Sequence, residues 1–277
     1  MEKKCNRHSM SIDYANNTSL ALNRCCALQA NVISFEEFYN SSFEDICKKA
    51  INYKKLPGRE DSCSKDIVCD FSYVDDIVLC IMDVCNFKCY HCCSGHPKKT
   101  LDAIEKKNHL FNVLNYLSKN VPKNTLNYLG LDGTGEIFIY YNELIEFLST
   151  IDNSFTKNMR FLTNGSLLDE DRIKQLKEIS NKTGVNYTFI ISIDGISKET
   201  FEAVRVGGNF EKTMEVLKLL NTYFKPENIT IHFTIKKPNV KEVPYVINFF
   251  NQNYVSFLYD CFDPSLSALI PDERKWR

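Results

Sequence analysis

Residues 85–92 read Cys85-Asn86-Phe87-Lys88-Cys89-Tyr90-His91-Cys92, a C-x3-C-x2-C loop that follows the strand-like run Asp76-Ile77-Val78-Leu79-Cys80-Ile81-Met82. Three thiolates this close in sequence make a soft-metal site. A four-iron cluster normally takes four cysteine thiolates. Here three come from one loop, and the fourth corner has no local partner. An open corner is what a metal centre needs to bind substrate or cosubstrate, as catalytic zinc sites illustrate. On these residues alone a zinc knuckle or three core cysteines also remain open. Zinc sites usually bring two C-x2-C or Cys/His pairs, and no second pair lies at a matching distance.

Outward from the loop the pattern alternates strand and helix. Strands are expected at 76–82, Leu126–Leu131, Arg160–Leu162, Tyr187–Ile193, Ile229–Ile235 and Ser256–Tyr259. Helices are expected at Leu101–Leu117, Tyr141–Ile151, Asp169–Ile179, Phe210–Leu220 and Val240–Phe250, where apolar residues recur at helical spacing. This alternation predicts an α/β fold with a parallel sheet and right-handed crossovers. Six such units are too few for an eightfold barrel. Sites in such sheets lie at the carboxyl ends of the strands, so the cysteine loop falls on that rim.

Composition narrows the function. The chain has 277 residues with 34 Lys plus Arg against 35 Asp plus Glu. Without a basic surplus, nucleic acid is not an expected partner, because phosphate contacts dominate such binding. No run of about 18 apolar residues occurs, so no membrane span is expected. The start Met1-Glu2-Lys3-Lys4-Cys5 has no apolar signal core, and a cytoplasmic location is expected. Of the 12 cysteines only Cys261 lies beyond residue 94. In a reducing compartment such cysteines point to metal or cluster ligation rather than disulfides.

More motifs follow the later strands in order. Leu131-Asp132-Gly133-Thr134-Gly135-Glu136 follows the second, Thr163-Asn164-Gly165 the third, and Ser192-Ile193-Asp194-Gly195 ends the fourth, ahead of Phe201-Glu202-Ala203-Val204-Arg205. With the cysteine loop, they resemble the radical S-adenosylmethionine (radical SAM) enzymes over roughly residues 74–260. The resemblance implies a partial (β/α)6, TIM-like barrel over 76–277, preceded by a small cysteine-rich extension over 1–75. It implies a [4Fe-4S] cluster on Cys85, Cys89 and Cys92, whose bare iron is chelated by S-adenosylmethionine. One electron from that cluster would split the sulfonium to a 5′-deoxyadenosyl radical.

The same resemblance assigns cosubstrate contacts. Gly133, Gly135 and Glu136 stand for the Gly-Gly-Glu-Pro motif that holds the amino group, with Ile137 in place of the proline. Glycines let the main chain approach a ligand, and a carboxylate pairs with an ammonium. Asn164 sits in a turn that the family also carries, although the residues alone read equally as a plain tight turn. Ser192 and Asp194 are expected to share a face and to meet the ribose and methionyl groups. Arg205 is expected to pair with the carboxylate, its alternative being a surface arginine. His91 is expected near the adenine. Cys80 reads as a core residue, and His8, His96, His109 and His232 form no constellation.

The extension holds Cys25 and Cys26, Cys47, Cys63 and Cys69, with a short helix expected between Phe35 and Lys49. It resembles part of the auxiliary-cluster module called SPASM. Reduced in this way, the module would hold a second iron–sulfur cluster through Cys25, Cys26, Cys63 and Cys69; zinc or buried free cysteines is the alternative. The resemblance makes a peptide or protein the first expected substrate and a sugar or other small molecule the second. A flavodoxin or ferredoxin is the expected electron donor. From another class, the rival is a non-catalytic iron–sulfur or zinc protein.

Overall fold

The structure is a computed structural model that describes residues 3–5, 9–16, 18–24, 31–51, 67–69, 74–82, 84–89, 92, 102–133 and 135–259. In chain order the elements are β1 (Lys3–Cys5), β2 (Ser9–Asn16), β3 (Ser19–Arg24), β4 (Asn31–Ser34), α1 (Phe35–Asn40), α2 (Phe43–Ile51), β5 (Ile67–Cys69) and β6 (Asp76–Cys80). They continue with α3 (Asp102–Asn120), β7 (Leu126–Leu131), α4 (Tyr141–Thr150), β8 (Thr156–Thr163), α5 (Glu170–Thr183) and β9 (Asn186–Ser192). The last are α6 (Lys198–Val204), α7 (Phe210–Tyr223), β10 (Ile229–Ile235), α8 (Val243–Phe249) and β11 (Tyr254–Tyr259).

Nine of the described strands form one sheet in the order β11-β10-β9-β8-β7-β6-β2-β3-β4. From β6 to β11 every neighbouring pair is parallel and consecutive. At least one helix separates each pair along the chain, as parallel strands require. This is the expected α/β, TIM-like arrangement, with six parallel strands joined by five helical connections among the described residues.

Side-chain alternation splits the sheet into two faces. Ile77, Leu79, Leu129, Met159, Phe161, Phe189, Ile191, Ile231 and Phe233 are buried in one core with Leu114, Leu144, Leu176 and Leu220 of the helices. The opposite face is mixed: Val78, Leu162 and Ile190 stand among the polar Cys80, Arg160, Ser192, His232 and Thr234. That face leads up to the strand ends where the chemistry-bearing loops begin.

The region before residue 76 differs from expectation. Three of its strands join the same sheet: β2 runs parallel to β6, and β3 and β4 follow antiparallel. The helix expected at 35–49 is two helices, α1 capped by Ser34, whose hydroxyl accepts from Glu37 N, and α2 after a break at Ser41. Cys69 lies on β5, paired in parallel with β1; Cys25, Cys26 and Cys63 fall outside the described residues. The expected helix Val240–Phe250 opens as a 3-10 turn at Val240–Glu242, with Pro244 in the first turn of α8. A proline has no N–H to donate and is tolerated only there. Among the described residues no helix is long and apolar enough to cross a membrane.

Candidate active site

Three loops, after β7, after β8 and after α6, converge on the cysteine loop and fix it. Glu136 N donates to Val84 O at 2.8 Å. Asn86 donates through Nδ2 to Ser166 Oγ at 2.8 Å and accepts at Oδ1 from Asn164 Nδ2 at 3.0 Å. Lys88 N donates to Val206 O at 2.8 Å. Gly207, with φ of 95°, keeps the loop after α6 against Asn86 and Phe87, a backbone state that favours glycine. Phe87 is buried and lines the same cavity as the cysteines.

Cys85, Cys89 and Cys92 line one cavity of about 220 Å³. Gly133, Gly135 and Glu136 from the loop after β7, Leu162, Thr163 and Asn164 from β8 and its turn, Ser192 from β9, and Arg205 complete the wall with His232 and Thr234 of β10. Cys47, Cys80, Cys85, Cys89 and Cys92 carry no disulfide. Burial pushes the Cys85 and Cys89 thiols above their ordinary range, opposed by the Phe87 N–H and by Arg205 respectively. Among the described residues no three His, Cys, Asp or Glu side chains close tightly enough to hold a metal ion. Three soft donors lining one cavity, with N–H groups aimed at two of them, suit a soft metal centre such as an iron–sulfur cluster.

Glu136 is buried at 1% exposure, yet its carboxylate is well satisfied. Oε1 accepts from Phe138 N at 3.2 Å and Thr163 Oγ1 at 2.7 Å, and Oε2 accepts from Asn164 N at 2.7 Å. A carboxylate offers about four acceptor positions, so capacity remains on Oε2. Burial raises the Glu136 pKa against those hydrogen bonds, which leaves the carboxylate receptive to a cation.

One expected contact lands differently. Asp194 is fully buried and does not line the cavity. Strand β9 ends at Ser192, so the alternation that put Ser192 and Asp194 on one face no longer holds at Asp194. Its Oδ2 accepts from Arg205 Nε at 2.5 Å, and its Oδ1 accepts from Thr234 N at 2.6 Å. Asp194 therefore holds Arg205, and Arg205 faces the cavity. His91 falls outside the described residues. Sequence reasoning missed His232 and Thr234, which alternate onto the cavity face of β10, His232 in register with Ser192. Burial lowers the His232 pKa, keeping the imidazole neutral near pH 7. Cys80 points to this mixed face instead of the core, with burial and Asp13 pushing its thiol up to about 12.

Close packing behind Arg205 gives a first expected result. A Cβ on Gly195 would lie 2.5 Å from Phe201 N and 2.8 Å from its Cα. Because the obstacle is backbone at the start of α6, it cannot swing aside. Gly195→Ala is expected to destabilise the fold by about 1–3 kcal/mol. An unchanged urea midpoint would show that α6 can shift at no cost.

Residues 79–250 match the Radical SAM superfamily. No curated protein matches the chain. Two solved structures share its fold. Streptococcus suis SuiB has a TM-score of 0.51 and 15% identity, over 70% of this chain and 44% of SuiB. The same protein bound to S-adenosylmethionine has a TM-score of 0.51 and 14% identity, over 70% and 45%. The chain thus spans less than half the length of either solved structure. Because the family match covers well over half of the sequence and every residue that lines the cavity, this chain belongs to the radical SAM superfamily of enzymes.

Proposed function

We propose that this protein reductively cleaves S-adenosylmethionine and uses the product to take a hydrogen atom from a peptide or protein side chain. The observation that carries the reading is one cavity lined by three thiols together with Gly133, Gly135 and Glu136. When bound, a [4Fe-4S] cluster and S-adenosylmethionine would supply a 5′-deoxyadenosyl radical. The chain's residues bind, orient and exclude water. Cys85, Cys89 and Cys92 hold the cluster. Glu136 takes the amino group at Oε2, while Thr163 and the Asn164 N–H keep the carboxylate turned toward it. Asn164, Ser192 and Arg205 bind the rest of the cosubstrate. His232 and Thr234, on the same wall, join that contact set.

A peptide substrate is supported by the likeness of the cysteines before residue 76 to the SPASM module, whose bearers often modify peptides. An auxiliary cluster on Cys25, Cys26, Cys63 and Cys69 and a flavodoxin or ferredoxin donor belong to the same proposal. Iron counting in a Cys85/Cys89/Cys92→Ala variant tests the second cluster, and zero iron would remove it.

Anaerobic reconstitution with iron and sulfide, followed by dithionite and S-adenosylmethionine, is expected to yield 5′-deoxyadenosine. None, from a sample with a proven cluster, would leave a non-catalytic iron–sulfur protein. In calorimetry Glu136→Gln is expected to weaken S-adenosylmethionine binding by about 2 kcal/mol, roughly 30-fold, because a desolvated charge partner is lost. Unchanged affinity would remove Glu136 from the site.

A further inference from the structure

We infer that Arg205, besides facing the cosubstrate, sets the electron affinity of the cluster: its guanidinium is locked against the Cys89 sulfur and favours the reduced state. The inference rests on the proposed function, since it needs the cluster that Cys89 would help to hold.

The geometry leaves the guanidinium little choice. Arg205 caps the end of α6, and its side chain is 10% exposed. Asp194, whose side chain is 0% exposed, takes Nε at 2.5 Å. Asp194 is itself held by Thr234 N at 2.6 Å, so the fork cannot rotate away. Nη1 then lies 3.7 Å from Cys89 Sγ, within the range of an N–H···S hydrogen bond. A second sulfur, that of Cys85, receives only neutral donors, Phe87 N at 3.4 Å and Asn164 Nδ2 at 3.8 Å.

Charge decides between the two donors. Reduction adds one electron to the cluster and its thiolates. A nearby fixed cation stabilises that added charge more than an amide dipole does, the more so in a buried site of low dielectric. Hydrogen bonds to sulfur and net charge are established controls on iron–sulfur potentials. Asp194 offsets part of the effect, but it is Arg205 that donates directly to the sulfur, through Nη1, while Asp194 takes Nε. Arg205 is thus a positioning residue for the electron as well as a contact for the ligand.

The test is a mediated redox titration of the reconstituted full chain, without S-adenosylmethionine, followed by the electron paramagnetic resonance signal of the reduced cluster. Arg205→Gln, with iron and sulfide content equal to wild type, is expected to lower the midpoint potential. The expected size is about a tenfold drop in the reduced-to-oxidised ratio at fixed potential, about 59 mV for one electron. An unchanged midpoint in the iron-replete variant overturns the inference and leaves Arg205 a cosubstrate residue alone. If Arg205→Gln fails to fold, Arg205→Lys carries the test. It keeps the charge opposite Asp194, but its single ammonium cannot span Asp194 and Cys89 as the fork does. Its potential is expected to fall in the same direction, and no fall overturns the inference. A wild-type chain that takes up no cluster would instead sink the underlying functional reading, a separate outcome visible in the iron assay.

Discussion

Cys89→Ala is expected to cut 5′-deoxyadenosine formation by more than about 100-fold, because losing only a supporting partner of a metal ligand already costs 10–100-fold. Cys89 is 8% exposed, the most enclosed of the three cavity thiols, and its sulfur accepts from the buried Arg205. Deleting the sulfur removes one of the three proposed cluster ligands and takes the acceptor from Arg205 Nη1. The loop itself should survive, since the ties at Val84, Asn86 and Lys88 do not involve this side chain. The variant should fold, hold less iron and lose the reaction. Cys80→Ala is the control: that thiol belongs to β6 and neighbours Asp13, and its removal should leave iron content unchanged. Full activity in Cys89→Ala would mean that the cluster is held elsewhere.

Asp194→Ala is expected to be the most damaging single change to stability at the site, about 3–5 kcal/mol, because it strands a buried guanidinium. The carboxylate accepts from Arg205 Nε and Thr234 N, and the Asp194 carbonyl accepts from Asn239 Nδ2 at 3.0 Å. Truncation leaves both donors unmet in a dry environment, and unpaired buried groups carry the full desolvation cost. The melting temperature should fall on the order of 10 °C. The Asp132–Arg160 pair makes the comparison. Its side chains are 21% and 25% exposed, so water can solvate Arg160 once Asp132 is gone, and Asp132→Ala should cost much less. Equal losses in the two variants would show that burial does not set the cost.

The barrel was legible because its strands are buried on a helix-covered face and so print strong apolar runs. Leu126–Leu131 and Ile229–Ile235 appear within the stated bounds. Strand β8 begins at Thr156, before the predicted Arg160, because Thr156-Lys157-Asn158 carries no apolar signal and owes its extension to pairing with β7 and β9. Helix α5 outruns the predicted end at Ile179 and stops at Gly184, whose φ of 73° suits a left-handed cap. Strands β2–β4 escaped notice although in β2 Met10 and Ile12 alternate with Ser9, Ser11 and Asp13, a period-two signal. In β3 the buried Ala21 between Leu20 and Leu22 blurs that period. The Asp194–Arg205 pairing could not be read, since it depends on where β9 stops. His232 looked ordinary because one histidine in an apolar strand is usually packing; only the sheet register sets it beside Ser192.

The place of β2 beside β6 has a further consequence. In a row of six parallel strands the first would be a margin, with a line of unclaimed amides and carbonyls open to any passing chain. Here β2 claims that line from Ser9 to Asp13. The strand that leads into the cavity thiols is thereby an inner plank, braced from both sides against fraying and against strangers.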